Sequence, residues 1–214
     1  MLMDIAYILI ILGVILVSMT LHEAMHGFMA YWLGDDTAKH SGRLTLNPIK
    51  HIDPFMTVLL PLILAVSNLP VFGGAKPVPF NPNNLKYGEW GVALVALVGP
   101  FTNLVIAFLA FAAFALLEPA SGSIVATILA VTVTVNLGFF AFNILPIPPL
   151  DGSRVLYVLA PDFARRALES IERLGVVLIF IIVMLAGPLV SGFIGSIVMF
   201  ILGVFSKIFG ITVT

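Results

Sequence analysis

The stretch that decides the fold reads Thr20-Leu21-His22-Glu23-Ala24-Met25-His26-Gly27, and it lies within the apolar run 5–33. Its two histidines are four residues apart, and positions i and i+4 of a helix share one face. Both imidazoles can therefore bind one metal ion, while the carboxylate of Glu23 turns toward a water molecule that the metal activates. This spacing indicates a metalloprotease-type site, with His22 and His26 as ligands and Glu23 as general base.

This site is predicted to lie inside a membrane. The chain has 214 residues, of which 60% are hydrophobic and 10% charged, whereas soluble chains carry roughly a quarter charged residues. A helix from Ile5 to His22 would rise about 25 Å, against a hydrocarbon thickness of about 30 Å. Ionisable side chains at that depth are costly unless they are paired or bind a metal, so a functional site is favoured over a chance match at a helix end.

The remaining apolar runs predict an all-α polytopic membrane protein with five to six transmembrane helices, organised as a single domain over residues 1–214. Runs long enough to cross a bilayer lie at 5–33, 89–117, 124–143, 174–188 and 190–209. Gly187-Pro188 predicts a turn between the last two runs, since proline cannot continue the helical hydrogen bonding.

A sixth apolar stretch, 54–69, is interrupted by Pro61 and predicts a re-entrant hairpin between the first and second main spans. Basic residues flank it on both sides: Lys39, Arg43 and Lys50 before it, Lys76 and Lys86 after it. Because such residues accumulate on the cytoplasmic side, both flanks are expected in the cytoplasm and the N-terminus outside. Two stretches near the hairpin, Ser41–Asn47 and Gly74–Phe80, are predicted as short β-like strands at the membrane surface.

Composition excludes several classes of function. The formal net charge of −1 provides no basic surface for nucleic acid. The chain contains no cysteine, so a metal must be held by histidine and carboxylate. The other two histidines, His40 and His51, fall in the loop after the first span and are expected to be solvated.

Asp151 is the carboxylate that stands apart from the others. It closes the segment Phe142-Asn143-Ile144-Leu145-Pro146-Ile147-Pro148-Pro149-Leu150-Asp151-Gly152, whose prolines end the preceding helix. If the span 124–143 runs inward, Asp151 emerges on the same side as His26. It is then either the third ligand that a catalytic zinc needs, or an Asx-turn or cap for a helix beginning near Ser153.

These residues resemble the site-2 proteases, peptidase family M50, whose signatures are His-Glu-x-x-His and a later Asn-x-x-Pro-x-Pro-x-x-Asp-Gly. The first signature matches His22–His26 and the second Asn143–Gly152, with Pro146 and Pro148 in the proline positions. The stretch Gly99–Asn103 is similar to the Gly-Pro-x-x-Asn element of that family.

The resemblance implies that His22, His26 and Asp151 bind Zn²⁺, that Glu23 activates water, and that Asn143 lines the site near the substrate carbonyl. For Asn143, capping of the broken helix end is the alternative. The implied activity is zinc-dependent endoproteolysis of transmembrane or membrane-associated proteins or peptides. We expect the chain in the lipid bilayer of a prokaryotic cytoplasmic membrane, with the active site toward the cytoplasm.

Two other functions are compatible with a buried metal site: a catalytically silent zinc-binding membrane scaffold, and a metal transporter. Transport spreads ionisable groups along a path. The runs 89–117, 124–143 and 190–209 carry no charged residue except Glu89 and Lys207, which disfavours transport. The presence of Glu23 disfavours a silent scaffold.

Overall fold

The computed structural model describes residues 5–67 and 74–211, and the regular structure in these ranges is helical. The α-helices are α1 (Ile5–Trp32), α2 (Thr37–His40), α3 (Leu60–Val66), α4 (Glu89–Leu117), α5 (Ile124–Asn143), α6 (Gly152–Leu159), α7 (Asp162–Glu172) and α8 (Val176–Phe209). Short 3₁₀ turns occupy Pro48–His51 and Pro82–Asn84, and a π-helical turn occupies Pro54–Leu59. The predicted all-α class is confirmed.

Four helices of the described chain, α1, α4, α5 and α8, are long and apolar enough to cross a membrane. The predicted count of five to six spans is not confirmed. The runs 174–188 and 190–209 fall largely within α8, in which two helical segments meet at a kink at Ala186 (φ −127°, ψ 19°), one residue before the predicted turn at Gly187-Pro188. An apolar environment requires backbone groups to bond internally, so a kink costs less than an open turn.

Helices α1, α4 and α5 pack around the end of the molecule that holds the candidate site. Their contact surfaces bury small side chains, including Ala24 and Ala30 of α1 and Ala107 of α4. Small residues let helix backbones approach closely, which is how helices associate in lipid. Further along, Leu137 of α5 and Phe205 of α8 join α4 in one buried apolar cluster.

Asp35, just after α1, holds the segment of the chain that precedes α4. One carboxylate oxygen accepts hydrogen bonds from Thr37 Oγ1 (2.6 Å) and Asn84 Nδ2 (3.0 Å), and the other accepts from the Asn81 amide (2.7 Å). Burial alone would raise the pKa of Asp35, but these hydrogen bonds outweigh it and hold the pKa below its ordinary value. Residues 81–84 are thereby tied to the end of α1.

The two flanks of the 54–69 stretch are bonded to each other. The Gly74 amide donates to the Met56 carbonyl (3.1 Å), Thr57 Oγ1 donates to the Gly74 carbonyl (2.7 Å), and the Lys76 amide donates to the His51 carbonyl (2.8 Å). The chain therefore returns to the place from which it left, as a re-entrant hairpin would. Residues 68 and 69 lie outside the described residues, and the hairpin remains a prediction.

Neither stretch predicted as a strand forms one: Ser41–Asn47 and Gly74–Phe80 are turns, bends and irregular backbone. Instead, the buried side chain of Arg43 joins them, and its Nη2 atom donates to the carbonyls of Lys76 (2.6 Å) and Pro77 (3.4 Å). Pro77 and a second proline in the same stretch lack the amide hydrogens that a strand ladder needs.

We predict that Ser41→Cys and Lys86→Cys are modified from the same side of the membrane. The Lys86 amide donates to the Leu33 carbonyl (2.8 Å), which places both exposed positions at the same end of α1. The chain has no native cysteine, so labelling with an impermeant maleimide in oriented vesicles reports on each position alone. Ser121→Cys, in the connection between α4 and α5, is the control and should be modified from the other side. Modification of positions 41 and 86 from opposite sides would make 54–69 a full span.

Candidate active site

Helix α1 places the histidines and the glutamate as their spacing predicts. One ligand atom from each of His22, Glu23 and His26 lies within 4.8 Å of the others. The two imidazoles are buried, with ring centroids 4.7 Å apart and planes at 82°. The helix thus presents two ring nitrogens and one carboxylate to a common point.

Asp151, which lies between α5 and α6, reaches the same point. Its Oδ2 atom lies 3.2 Å from Nε2 of His22 and 3.6 Å from Nε2 of His26. This oxygen is buried and has no hydrogen-bond partner among the described residues. Asp151 directly precedes α6, yet its side chain makes no capping hydrogen bond to the described part of that helix. The alternative role as a helix cap is therefore not the one that the side chain adopts.

The segment after α5 is folded so that Asp151 turns inward. Leu145 and Leu150 are buried with Ile179 of α8 in an apolar cluster that covers the segment. At Gly152, any side chain would collide with the Ile144 carbonyl, so only glycine lets the chain fold back onto the end of α5. Apolar packing and one glycine therefore aim a carboxylate into the bundle.

The second ring nitrogen of each histidine has its own partner. Nδ1 of His22 lies 2.7 Å from Oδ1 of Asn103, and Nδ1 of His26 lies 2.6 Å from the Val95 carbonyl, both on α4. Because a carbonyl only accepts, Nδ1 of His26 carries the hydrogen and its Nε2 keeps a lone pair. Histidines that bind metals are oriented in this way.

The spacing of these atoms fits a zinc ion. Ligands about 2.0–2.1 Å from a tetrahedral zinc are about 3.3 Å from each other. The two Nε2–Oδ2 distances, 3.2 and 3.6 Å, lie on either side of that value. Two imidazoles and one carboxylate also form the donor set of a catalytic zinc site with one open position.

A cavity of about 450 Å³ opens onto this group. Glu23, Asn143 and Asp151 supply polar atoms to its wall, and most of the remaining wall is apolar. Phe139 and Phe142 of α5 are among the apolar side chains. The polar group of His22, Glu23, His26 and Asp151 therefore borders a largely apolar cavity.

Comparison with known proteins agrees with this geometry. Residues 115–182, which include the Asn143–Gly152 segment, match the model of peptidase family M50. YwhC of Bacillus subtilis, named as a candidate zinc metalloprotease, is 38% identical over 175 residues, covering 78% of this chain and 77% of YwhC. The chain belongs to peptidase family M50. Its long apolar helices make it an integral membrane protein.

Other proteins named as candidate zinc metalloproteases are also similar to this M50 chain. Rip2 of Mycobacterium tuberculosis is 31% identical over 183 residues, covering 83% of this chain and 66% of Rip2. MJ0611 of Methanocaldococcus jannaschii is 42% identical over 62 residues, 29% of this chain and 31% of that protein. No solved structure matches the chain significantly.

The Gly-Pro-x-x-Asn element of this M50 chain has a structural role at the site. A Cβ atom at Gly99 would lie 2.5 Å from both Nε2 and Cε1 of His26 and 2.8 Å from Cε1 of His22. Only a hydrogen atom at this position lets α4 approach the imidazoles. Four residues later, Asn103 contacts His22, so the element both makes room for the histidines and orients one of them.

Asn143 and Glu23 each already have one backbone partner. Nδ2 of Asn143 donates to the Phe139 carbonyl one turn earlier in α5 (3.0 Å). Oε2 of Glu23 accepts a hydrogen bond from the Val78 amide (3.1 Å), which ties the irregular stretch Gly74–Phe80 to the site. Asn143 thus combines the bond to its own helix with a place on the cavity wall.

Of the two loop histidines, His40 and His51, only His40 is exposed to solvent as expected. His40 is exposed and pairs with Asp36 at 2.9 Å. His51 is buried, so the prediction that it is solvated is wrong; its Nε2 atom bonds to the Thr45 carbonyl (2.8 Å), and its own carbonyl accepts from the Lys76 amide (2.8 Å). Neither is among the described residues that line the cavity.

Sequence reasoning missed two contributors to the site. The Val95 carbonyl has no signal in the sequence, since every residue has a carbonyl. Asn136, in the middle of α5, contacts Asn103 behind His22. An amide within an uncharged apolar run is costly in lipid without a partner, and this cost was a usable signal.

We predict that Gly99→Ala weakens metal binding by at least about tenfold, because the added methyl group displaces the imidazoles. Loss of the groups that orient metal-binding histidines lowers metal affinity by about 10–100-fold. Metal content after purification, measured by mass spectrometry, tests this. Gly138→Ala is the matched control, since a Cβ there meets no described atom within 4 Å. Equal metal content in both variants would contradict the steric role of Gly99.

Proposed function

We propose that this chain is a zinc-dependent intramembrane endopeptidase in which His22, His26 and Asp151 hold the metal and Glu23 is the general base. The observation that carries this proposal is Oδ2 of Asp151, which is buried without a hydrogen-bond partner among the described residues and faces both Nε2 atoms. A buried carboxylate oxygen with no donor is costly, and a metal ion would satisfy it.

Zinc is the metal that suits this donor set. Thiolates are absent from the chain, and two imidazoles with one carboxylate leave a position for water. The relatives named as candidate zinc metalloproteases support the same metal. Held by these residues, a zinc ion would supply the Lewis-acid chemistry that activates water and polarises a scissile carbonyl.

Glu23 moves the protons of the reaction. It follows His22 directly on α1, and its carboxylate reaches the point where the imidazoles converge. It accepts the proton of the attacking water and passes it to the amine that leaves. The hydrogen bond from the Val78 amide to Oε2 orients the carboxylate and leaves Oε1 for this exchange.

Asn143 contributes a donor to the substrate. Its bond to Phe139 uses one hydrogen of the side-chain amide, so a second remains for the carbonyl oxygen on which negative charge develops. Donors in that position contribute about 2.7–4 kcal/mol to transition-state stabilisation. Its bond to α5 gives the amide a fixed starting orientation.

The substrates are transmembrane or membrane-associated proteins or peptides. The cavity is mostly apolar and opens between helices that are apolar enough to span the bilayer. A substrate helix satisfies its own backbone hydrogen bonds, so it must unwind before water can attack. Gly74–Phe80 lies along the cavity as irregular backbone, and an extended substrate can dock beside it.

The site faces the cytoplasm of a prokaryotic cell. Basic residues concentrate at the end of α1 that carries the site and on the α6–α7 segment, namely Lys39, Arg43, Lys50, Lys76, Lys86, Arg154, Arg165, Arg166 and Arg173. Such residues favour the cytoplasmic side. The relatives come from bacteria and an archaeon.

We predict that Glu23→Gln retains zinc and fold but lowers cleavage by at least about 100-fold, because the amide is nearly isosteric but cannot accept the proton of water. Zinc content and cleavage of a membrane-embedded reporter are measured together in proteoliposomes. Glu118→Gln, the same change at an exposed position between α4 and α5, should leave both unchanged. Unchanged cleavage in Glu23→Gln would contradict the assignment of the base. A protein that binds zinc but cleaves nothing before or after the change would be a silent scaffold.

A further inference from the structure

A buried network of hydrogen-bonded side chains extends from His22 and joins α1, α4 and α5. Nδ1 of His22 lies 2.7 Å from Oδ1 of Asn103, and Nδ2 of Asn103 donates to Oδ1 of Asn136 (2.8 Å). Nδ2 of Asn136 donates to Oγ of Ser18 (2.9 Å) and to the Thr132 carbonyl (2.8 Å). Both asparagines have 0% of their surface exposed, so they lie out of contact with bulk solvent.

The Thr132 carbonyl, at the end of this network, determines which group donates in each of its hydrogen bonds. A side-chain amide has a donor end and an acceptor end and can in principle turn either way. The Thr132 carbonyl can only accept, so Asn136 must turn Nδ2 toward it and Oδ1 toward Asn103. Asn103 must then present Nδ2 to Asn136 and Oδ1 to His22. The hydrogen of the neutral imidazole is thereby placed on Nδ1.

This direction matters for metal binding, because a neutral imidazole carries one hydrogen and binds metal through its other nitrogen. In His22 the nitrogen that faces Asp151 is Nε2. The His26 ring is set directly by a backbone carbonyl, that of Val95. The His22 ring has no such carbonyl and depends on two amides in series, which end at the Thr132 carbonyl.

We infer that Asn136, which touches neither substrate nor metal, is a positioning residue: acting through Asn103, it holds His22 in the tautomer with Nε2 free for zinc. The inference rests on the proposed function in so far as His22 is a zinc ligand. Loss of Asn136 would free the Asn103 amide to turn around and present a donor to Nδ1. The hydrogen of His22 would then move to Nε2 and compete with the metal.

A purely structural role for the same residues is the competing explanation, since polar side chains also hold membrane helices together. Ser18 separates the two roles. Ser18→Ala removes the hydrogen bond between α1 and α5 but leaves the Thr132 carbonyl as acceptor for Asn136. Positioning therefore predicts that Ser18→Ala is harmless to zinc binding, whereas a packing role predicts that it resembles loss of Asn136.

The first measurement is the zinc dissociation constant of the full-length protein in lipid nanodiscs, obtained by competition with a chelator. Asn136→Leu, which is close in volume but neither donates nor accepts, should weaken zinc binding by about tenfold, the lower end of the effect of direct partners of zinc-binding histidines. Ser18→Ala should match the wild type. Equal affinity in Asn136→Leu and the wild type, or equal weakening in both variants, would overturn the inference.

The second measurement does not depend on zinc binding. In metal-free protein labelled with ¹⁵N-histidine, the spectrum of His22, assigned by its loss in His22→Ala, reports which ring nitrogen carries the hydrogen. The wild type should show the hydrogen on Nδ1, and Asn136→Leu should show a mixture. A wild-type His22 with the hydrogen on Nε2 would refute the inference. A wild type with the Nδ1 hydrogen that binds no zinc would instead refute the proposed function.

Discussion

The approach of Asp151 to the two imidazoles of α1 is the contact on which the rest of the structure depends. A carboxylate inside an apolar bundle is costly unless a cation or several donors compensate it. Here the carboxylate turns away from α6 and toward His22 and His26. The surrounding features make this approach possible: the missing side chains at Gly99 and Gly152, and the apolar cover that α8 places over the Asp151 segment.

The cavity has walls of two kinds. His22, Glu23 and His26 lie on the long helix α1, whose backbone bonds are internal, and Asp151 lies at the start of the short helix α6. The opposite wall, Gly74–Phe80, is irregular and is held by separate hydrogen bonds to Arg43, His51 and Glu23. The cavity thus has one helical wall and one wall of irregular backbone.

Those parts of the site that obey local periodicity could be predicted from the sequence. The i, i+4 spacing placed His22 and His26 on one face, and long apolar runs located the helices. The break near Gly187-Pro188 could be predicted from the proline, but its form, a kink at Ala186 instead of an open turn, could not, because backbone groups in an apolar bundle must bond internally. The strands predicted around residues 41–47 and 74–80 do not form, because the side chain of Arg43 in the first stretch bonds to carbonyls of the second that a ladder would need. The orientation of His22 depends on Asn136, and only the three-dimensional fold brings them into one network.

The most direct test of the account is the amount of zinc that Asp151→Ala retains after dialysis against a chelator, compared with the wild type. Asp162→Ala, which removes an exposed carboxylate at the start of α7, is the control. If Asp151 completes the metal site, the wild type and Asp162→Ala retain about one zinc ion per chain, while Asp151→Ala loses it, because two histidines alone do not make the three-ligand set of a catalytic zinc. Equal zinc in all three proteins would contradict the account, since the buried carboxylate would then have no metal to bind.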